Sequence, residues 1–185
     1  REKNAVNISR VTLFAGHYGS GKTNIAVNYA KYLAALSYPV TIADLDIVNP
    51  YFRTKDSEAE LAACGIRLIC PTYANTNLDL PALPAQMYDI IRERERYAVL
   101  DIGGDDRGAY ALGRYAPEIL EENRYEMLFV ANFYRPLTET AADALEVMRE
   151  IECACGMRFT ALVNNSNLGE ETTAQTVLDT QSKIG

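Results

Sequence analysis

The feature that most constrains this chain is the run G-H-Y-G-S-G-K-T at residues 16–23. It matches G-x-x-x-x-G-K-[ST] at every fixed position, which is the pattern of a loop that wraps around phosphate groups. The apolar run V-T-L-F-A at residues 11–15 precedes it and predicts a buried strand. Apolar residues at helical spacing follow it and predict an amphipathic helix, with one face formed by Ile25, Tyr29, Tyr32, Leu33 and Leu36. A strand, a glycine-rich turn and a helix in this order are the context that the pattern requires.

This loop, called the P-loop below, predicts a binding site for a nucleoside triphosphate. Its glycines allow backbone N–H groups to point inward, and the unpaired amides at the start of the helix add partial positive charge. Lys22 can reach the β- and γ-phosphates, and the Thr23 hydroxyl can bind the Mg²⁺ that bridges them. We therefore expect ATP or ADP with Mg²⁺ as ligands. The predicted nucleotide-binding residues of the loop are Gly16, His17, Tyr18, Gly19, Ser20, Gly21, Lys22 and Thr23.

Length and composition indicate one globular domain over residues 1–185. The chain has 185 residues, of which 48% are hydrophobic, and this is enough to form a sizeable core. Its net charge of -7 makes nucleic acid an unexpected partner, because contact with a phosphate backbone needs a basic surface. No apolar run has the length of a membrane span, so this segment gives no support for a membrane partner. The 4 cysteines form no C-x-x-C pattern and predict reduced, mostly buried thiols in a cytoplasmic protein.

Short apolar runs alternate with helical segments along the chain. The predicted strands are residues 11–15, 40–43, 66–70, 97–100, 127–131 and 159–163. Because these strands are continuously apolar, they are typical of a parallel sheet that is covered on both faces. The predicted fold class is therefore α/β, a doubly wound, mostly parallel sheet with helices on both faces. Thr138 is predicted to cap a helix that ends at Gly156, and residues 108–123 are predicted to be helical with an interruption near Pro117.

Polar residues cluster where the predicted strands end. Besides the P-loop, they lie at residues 44–46, 101–104 and 164–167. Ligands of doubly wound sheets bind beyond the carboxyl ends of the strands, so we expect these clusters to form one site. Asp101 is suited to bind Mg²⁺, and Asp46 is suited to orient the attacking water or the metal shell. The alternative for either aspartate is that it caps the following helix or turn.

Taken in order, the P-loop, the run D-L-D at residues 44–46 and the run D-I-G-G at residues 101–104 resemble the MinD/ParA/CobQ-type P-loop NTPases of the SIMIBI class. The resemblance extends from about residue 11 to residue 167. It implies that the second aspartate of D-L-D positions the hydrolytic water and that the first residue of D-I-G-G lies near Mg²⁺. The predicted catalytic residues are thus Lys22, Asp46 and Asp101, and the predicted metal ligands are Thr23, Asp46 and Asp101.

The resemblance also implies that an asparagine after the sixth strand reads the edge of the adenine base. Asn165 is the best match to that position, and Asn164 is the next. Independently of the family, an asparagine side chain has a donor and an acceptor side by side, which suits adenine. The alternative is that residues 164–167 form an ordinary polar turn.

The chain departs from this family within the P-loop itself. The family's loop is usually K-G-G-x-G-K-[ST], with an extra lysine that reaches across an ATP-bound dimer, whereas this chain has His17 and Tyr18 at the first two positions. His17 would supply that charge only when it is protonated, and otherwise it is a solvated loop residue. Both a homodimer and a monomer therefore stay as alternatives for the ATP-bound state. Family members also continue with a further strand and a closing helix, which this segment is expected to lack.

The first of two function classes is a nucleotide switch. ATP binding and slow hydrolysis would move residues 46–53 and 101–107 and so change the affinity for a protein partner. Tyr51 and Phe52 could dock that partner, or they could pack as local core. We favour this class.

The second class is an ATP-dependent synthetase similar to the dethiobiotin or cobyrinate amide synthetases, whose P-loops also lack the extra lysine. Such an enzyme needs a pocket for a substrate carboxylate beside the γ-phosphate. Basic residues such as Arg53 or Arg107 would have to line that pocket. A switch hydrolyses ATP slowly when alone, whereas a synthetase is nearly silent without its acid substrate.

Overall fold

The apolar runs form the strands of one parallel sheet in a computed structural model of the chain, which describes residues 8–46, 55–70, 85–104 and 106–184. The strands are β1 (Val11–Ala15), β2 (Val40–Leu45), β3 (Arg67–Ile69), β4 (Tyr97–Ile102), β5 (Tyr125–Ala131) and β6 (Ala161–Asn164). Their order across the sheet is β3-β2-β4-β1-β5-β6, and every neighbouring pair is parallel. The predicted doubly wound α/β class is therefore confirmed. The docking candidates Tyr51 and Phe52 and the basic candidate Arg53 lie outside the described residues.

Helices connect the strands. They are α1 (Lys22–Ala35), α2 (Lys55–Ala63), α3 (Met87–Arg92), α4 (Asp106–Gly113), α5 (Ala116–Glu122), α6 (Ala141–Cys155) and α7 (Ala174–Leu178), with single 3-10 turns at Gly169–Glu171 and Gln181–Lys183. Within the described ranges, none of the helices has the length and apolar character that crossing a membrane requires.

The sheet separates two hydrophobic cores. Alternate residues of β1 point to opposite faces, so Leu13 joins a core with α3, α4, α5 and α6, while Phe14 joins a core with α1 and α2. All residues of β1 and β2 are buried, as expected for strands that are covered on both faces. The carboxyl ends of the central strands are consequently the part of the sheet that helices leave open for a ligand.

The buried face of α1 differs from the predicted one. Its buried residues are Lys22, Ala26, Val27, Ala30 and Leu33. Tyr32 and Leu36, which were predicted to belong to the buried face, are 52% and 47% exposed. Alanines let the helix approach the sheet closely, and this close approach leaves room for only small side chains along the line of contact. The ring of Tyr29 packs at the margin of that contact, with its centroid 5.7 Å from that of Phe14.

The predicted start of α6 also differs from the observed one. The cap of α6 is Thr140, because its side chain accepts a hydrogen bond from the backbone N–H of Asp143 and the Asp143 carboxylate accepts one in return. The predicted cap, Thr138, instead donates from its hydroxyl to the carbonyl oxygen of Asn132 at 2.7 Å. The predicted end of the helix is confirmed, since Gly156 follows it in the left-handed region. The predicted interruption near Pro117 is confirmed, since residues 114–115 separate α4 from α5 and Pro117 lies in the first turn of α5.

The cysteines are all free, and their burial is lower than predicted. Cys155 is buried, Cys70 is half-buried, and Cys64 and Cys153 are exposed. Cys153 and Cys155 point to different faces of α6, as their spacing predicts.

A buried ion pair joins the elements at the amino-terminal end of the sheet. The guanidinium group of Arg10, just before β1, donates twice to the carboxylate of Glu122 at the end of α5. The two side chains are 2% and 6% exposed. Arg10 also donates to the carbonyl oxygens of Ile90 and Arg96, at 2.9 and 3.2 Å. One side chain therefore ties α3 and α5 to the central strand.

Substituting Glu122→Gln should lower the free energy of unfolding by about 3 kcal/mol, because a buried guanidinium group loses its counter-charge. Urea unfolding followed by circular dichroism measures this change. The matched control is Glu121→Gln, an exposed neighbour on the same helix, whose stability should stay close to that of the parent. Equal stability of the two variants would show that the pair does not hold these elements together.

Candidate nucleotide-binding site

The backbone of the P-loop lies so close to its neighbours that two positions require glycine. A Cβ atom on Gly16 would lie 2.4 Å from the carbonyl oxygen of Val130 in β5. Gly21, which caps α1, has a φ of 81°, and a Cβ atom there would lie 2.4 Å from Nδ2 of Asn165. Both positions therefore exclude larger residues, one through contact and the other through contact and backbone angle. The loop is a tight turn packed against the ends of neighbouring strands.

Asparagine side chains from the loops after β5 and β6 anchor the P-loop. Asn165 donates from Nδ2 to the carbonyl oxygen of Ser20 at 2.8 Å. Asn132, which is fully buried, donates to the carbonyl oxygen of Gly19 at 3.4 Å and accepts from the backbone N–H of Asn167 at 3.2 Å. Because such bonds occupy P-loop carbonyl groups, they fix the shape of the loop.

The two asparagines predicted to read adenine have different surroundings. Asn165 lies beside Gly21 at the P-loop. Asn164 donates from Nδ2 to the carbonyl oxygen of Val177 and to the hydroxyl of Thr180, at 3.2 and 2.9 Å. Its Oδ1 accepts from the Ser166 hydroxyl at 2.7 Å. Asn164 thus connects β6 to the segment around α7, and contact with adenine stays a prediction for both residues.

Strand register brings two aspartates together under the P-loop. Asp44 on β2 is the direct neighbour of Asp101 on β4. Ile42 and Val99, which lie two positions earlier on the same strands, belong to the core that contains α1. Because alternate residues of a strand point to the same face, the side chains of both aspartates also lie on that face of the sheet. The first turn of α1 begins there, and the Thr23 hydroxyl donates to Oδ2 of Asp101 at 2.5 Å.

Lys22 and Asp46 complete this group of charged residues. The Lys22 ammonium nitrogen lies 3.7 Å from Oδ2 of Asp46, and the two side chains are 7% and 11% exposed. The backbone N–H of Asp46 donates to Oδ1 of Asp44 at 2.8 Å, which fixes the turn after β2. The structure therefore brings together Lys22, Thr23, Asp46 and Asp101, the residues that carry the predicted catalytic and metal-binding roles.

Asp101 has the environment of a cation ligand. Burial raises the pKa of its carboxyl group to about 6, although the Lys22 charge and the Thr23 hydrogen bond act in the opposite direction. Its Oδ1 atom is buried and has no hydrogen-bond partner among the described residues. A buried carboxylate oxygen without a donor is satisfied by a cation, so Thr23 and Asp101 fit Mg²⁺. Within the described ranges no three or more His, Cys, Asp and Glu side chains are grouped to hold a metal, so phosphate oxygens and water would complete its shell.

A groove of about 360 Å³ opens between the P-loop and α6. His17 and Gly104 line it on the P-loop side, and Asp143, Glu146 and Glu150 line it on the helix side. The spacing of the helix residues places their carboxylates on one face of α6. The space beside the P-loop is therefore bordered by negative charge. Tyr18, the loop residue after His17, is 66% exposed.

Asn132 and the acidic face of α6 were not among the residues predicted for the site. Asn132 directly follows β5, so the rule that polar residues cluster at the carboxyl ends of strands applies to it as well. The carboxylates of α6 have the ordinary spacing of a solvated helix face, and only the packing of α6 brings them to the P-loop.

Burial of Asp101 predicts how the stability of the ligand-free protein depends on pH. Its pKa of about 6 in the folded state exceeds the ordinary value of 3.8, so the folded state holds this proton more tightly than the unfolded state. Stability therefore falls as pH rises from about 4 to about 6. Substituting Asp101→Asn removes the charge and should raise the free energy of unfolding on the order of 2–3 kcal/mol at pH 8, with little effect at pH 4.

Urea unfolding at both pH values, without nucleotide or Mg²⁺, measures this difference. Asp179→Asn, at an exposed position, is the control and should change stability little at either pH. An effect of Asp101→Asn that is the same at both pH values would contradict the assignment.

Comparison with known proteins finds similarity in structure. No protein-family model and no curated protein sequence matches this chain. The VpsO kinase domain matches with a TM-score of 0.60 and 16% identity, over 86% of this chain and 85% of that one. The kinase domain of the Escherichia coli tyrosine kinase ETK matches with a TM-score of 0.56 and 17% identity, over 90% and 71% of the two chains. FtsY from Mycoplasma mycoides matches with a TM-score of 0.50 and 18% identity, over 84% of this chain and 51% of FtsY.

At these low identities the likeness concerns the fold. The chain spans most of the two kinase domains and about half the length of FtsY. The parallel sheet has the strand order given above, and the phosphate-binding pattern follows its β1. The chain therefore has the α/β fold of the P-loop NTPases.

Proposed function

We propose that this protein binds ATP with Mg²⁺ at the P-loop, hydrolyses it slowly and acts as a nucleotide switch for a protein partner. The observation that carries the proposal is the convergence of two contacts, Lys22 with Asp46 and Thr23 with Asp101, at the start of α1. These residues are also the ones that the MinD/ParA/CobQ resemblance selects. The similar VpsO and ETK domains are kinases by name, and this supports the use of a nucleotide by the fold.

Each residue has its own role in the proposed reaction. Lys22 exchanges its contact with Asp46 for oxygens of the β- and γ-phosphates. Its electrostatic attraction to these oxygens is stronger in a buried site than it would be in water. Asp46 is then available to orient the attacking water. The Thr23 hydroxyl and the Asp101 carboxylate would hold Mg²⁺, which neutralises phosphate charge when it is bound. Asn165, beside the P-loop, is the candidate for contact with the adenine edge.

The loop after β4 offers a route from nucleotide to partner. A Cβ atom on Gly104 would lie 2.7 Å from the backbone nitrogen of Tyr18, so this loop is in direct contact with the P-loop. The same loop leads into α4, which packs on α6. A change in the phosphates at the P-loop would therefore reach a surface helix through consecutive contacts. The partner, or a second copy of the chain, would read that change.

The charge of the groove beside the P-loop favours the switch over a synthetase. A synthetase would bind a substrate carboxylate next to the γ-phosphate, but the groove presents the carboxylates of Asp143, Glu146 and Glu150. These groups would repel an acid substrate. Arg107, one basic residue that such a pocket would use, is exposed and does not line this groove. Slow basal ATP hydrolysis without any added acid would support the switch, and its absence would support the synthetase.

Substituting Lys22→Ala should weaken binding of Mg-ATP by about 2–4 kcal/mol, because the buried cation that faces the phosphates is lost. Titration calorimetry with Mg-ATP measures the change. Lys31→Ala, further along α1, removes an equal charge at a position that contacts Glu60 and should bind as the parent does. Unchanged affinity of the Lys22→Ala variant would rule out this loop as the nucleotide site.

Substituting Asp46→Asn should preserve binding of Mg-ATP and slow hydrolysis by about 100-fold, because the water loses its orienting base while the phosphate cradle is intact. Single-turnover release of phosphate separates this step from binding. Asp179→Asn serves as the control on an exposed aspartate and should hydrolyse at the parent rate. Hydrolysis by the Asp46→Asn variant at the parent rate would show that Asp46 does not orient the attacking water.

A further inference from the structure

Arg135, in the loop after β5, lies across the P-loop. A Cβ atom on Gly19, the fourth residue of the P-loop, would lie 3.2 Å from Nε, 3.5 Å from Cζ and 3.7 Å from Cδ of Arg135. The guanidinium end of the side chain, and not only its aliphatic stem, thus lies beside Gly19. Arg135 is nevertheless exposed, so its donors are accessible to a ligand.

The loop that carries Arg135 is held in a fixed shape. The backbone N–H of Arg135 donates to the carbonyl oxygen of Asn132 at 3.1 Å, and its own carbonyl accepts from the N–H of Thr138 at 3.2 Å. The N–H of Phe133 donates to the Ser166 hydroxyl at 3.0 Å. Since the Asn132 side chain also donates to the carbonyl oxygen of Gly19, one buried residue contacts both the P-loop and the loop of Arg135. The backbone of Arg135 is therefore held beside the P-loop by the fold.

Ion pairing within the protein does not explain this position. Among the described residues, no carboxylate lies within salt-bridge distance of Arg135, although other arginines such as Arg10 and Arg67 do have such partners and Arg149 does not. The site also has fewer buried cationic groups than carboxyl groups, since Lys22 is accompanied by Asp44, Asp46 and Asp101. A guanidinium group is always charged at physiological pH, and its planar donors match the geometry of phosphate oxygens.

We infer that Arg135 binds the phosphate chain of the nucleotide, as a second cation supplied to the P-loop by the loop after β5. This inference rests on the proposed function, because it concerns the same nucleotide site. Lys22 acts from the buried side of the phosphates at the start of α1, and Arg135 acts from the exposed side at Gly19. Neither the P-loop pattern nor the structural similarities assign a ligand to Arg135.

The test compares Arg135→Gln with Arg149→Gln, which removes the same charge from an exposed position on α6. Titration calorimetry is carried out on the parent and both variants with Mg-ATP and, separately, with magnesium tripolyphosphate, which has no base or ribose. We expect Arg135→Gln to raise the Kd for both ligands by about tenfold, and Arg149→Gln to change either by less than about twofold. Arg135→Lys should regain part of the loss, since it restores charge without the planar donors.

Three outcomes would overturn the inference. Parent-like binding of both ligands by the Arg135→Gln variant would show that the residue only packs on the loop. Weaker binding of Mg-ATP with unchanged tripolyphosphate binding would place Arg135 at the base or ribose. Equal losses in the Arg135 and Arg149 variants would indicate a general effect of net charge. If the parent itself does not bind Mg-ATP, the proposed function fails first and the inference with it, whereas failure of Arg135→Gln alone leaves the Lys22 result intact.

Discussion

The site is governed by an excess of buried negative groups over buried positive ones. Counted over whole residues, Asp44, Asp46 and Asp101 are at most 8% exposed, and the ammonium group of Lys22 is buried beside them. Burying charge without compensation is costly, so a cation near Asp101 and phosphates near Lys22 would stabilise the arrangement. In the ligand-free protein, Lys22 pairs with Asp46, and Thr23 donates a hydrogen bond to Asp101. A ligand that combines phosphate groups with a cation would replace each of these contacts with a stronger one.

This arrangement depends on strand register and not on local sequence alone. Asp44 and Asp101 become neighbours because β2 and β4 pair in parallel with both residues at the same level. A shift by one residue would turn either side chain toward the opposite core. The buried contact between Arg10 and Glu122 lies at the other end of the sheet, where it ties helices to the start of β1. The two ends of the sheet thus differ in buried charge: Arg10 and Glu122 compensate each other at one end, and carboxyl groups outnumber the ammonium group beside them at the other.

Local patterns predicted most of what lies along the strands. The P-loop, the strand ends with Asp46 and Asp101, and the parallel sheet all follow from apolar runs and the residues that end them. The rotation of α1 did not follow, because the distance of closest approach to the sheet selects alanines over the larger Tyr32 and Leu36. The position of Arg135 was equally invisible, since it depends on a contact between segments that are far apart in the chain. Spacing within a segment predicts elements well, and contacts between segments decide which side chains reach the site.

The anchoring of the P-loop by Asn132 and Asn165 has a consequence for how the protein acquires its site during synthesis. The loop precedes its anchoring residues in the chain, and the anchoring bonds span 113 residues to Asn132 and 145 residues to Asn165. Closing segments of this length is entropically costly and slow compared with forming a helix. On the ribosome, the P-loop residues are synthesised before β5 and β6, so their shape is fixed only after those strands have been made. The nascent chain therefore completes the hydrogen bonds that shape the P-loop only after the segment that follows β6 has been made.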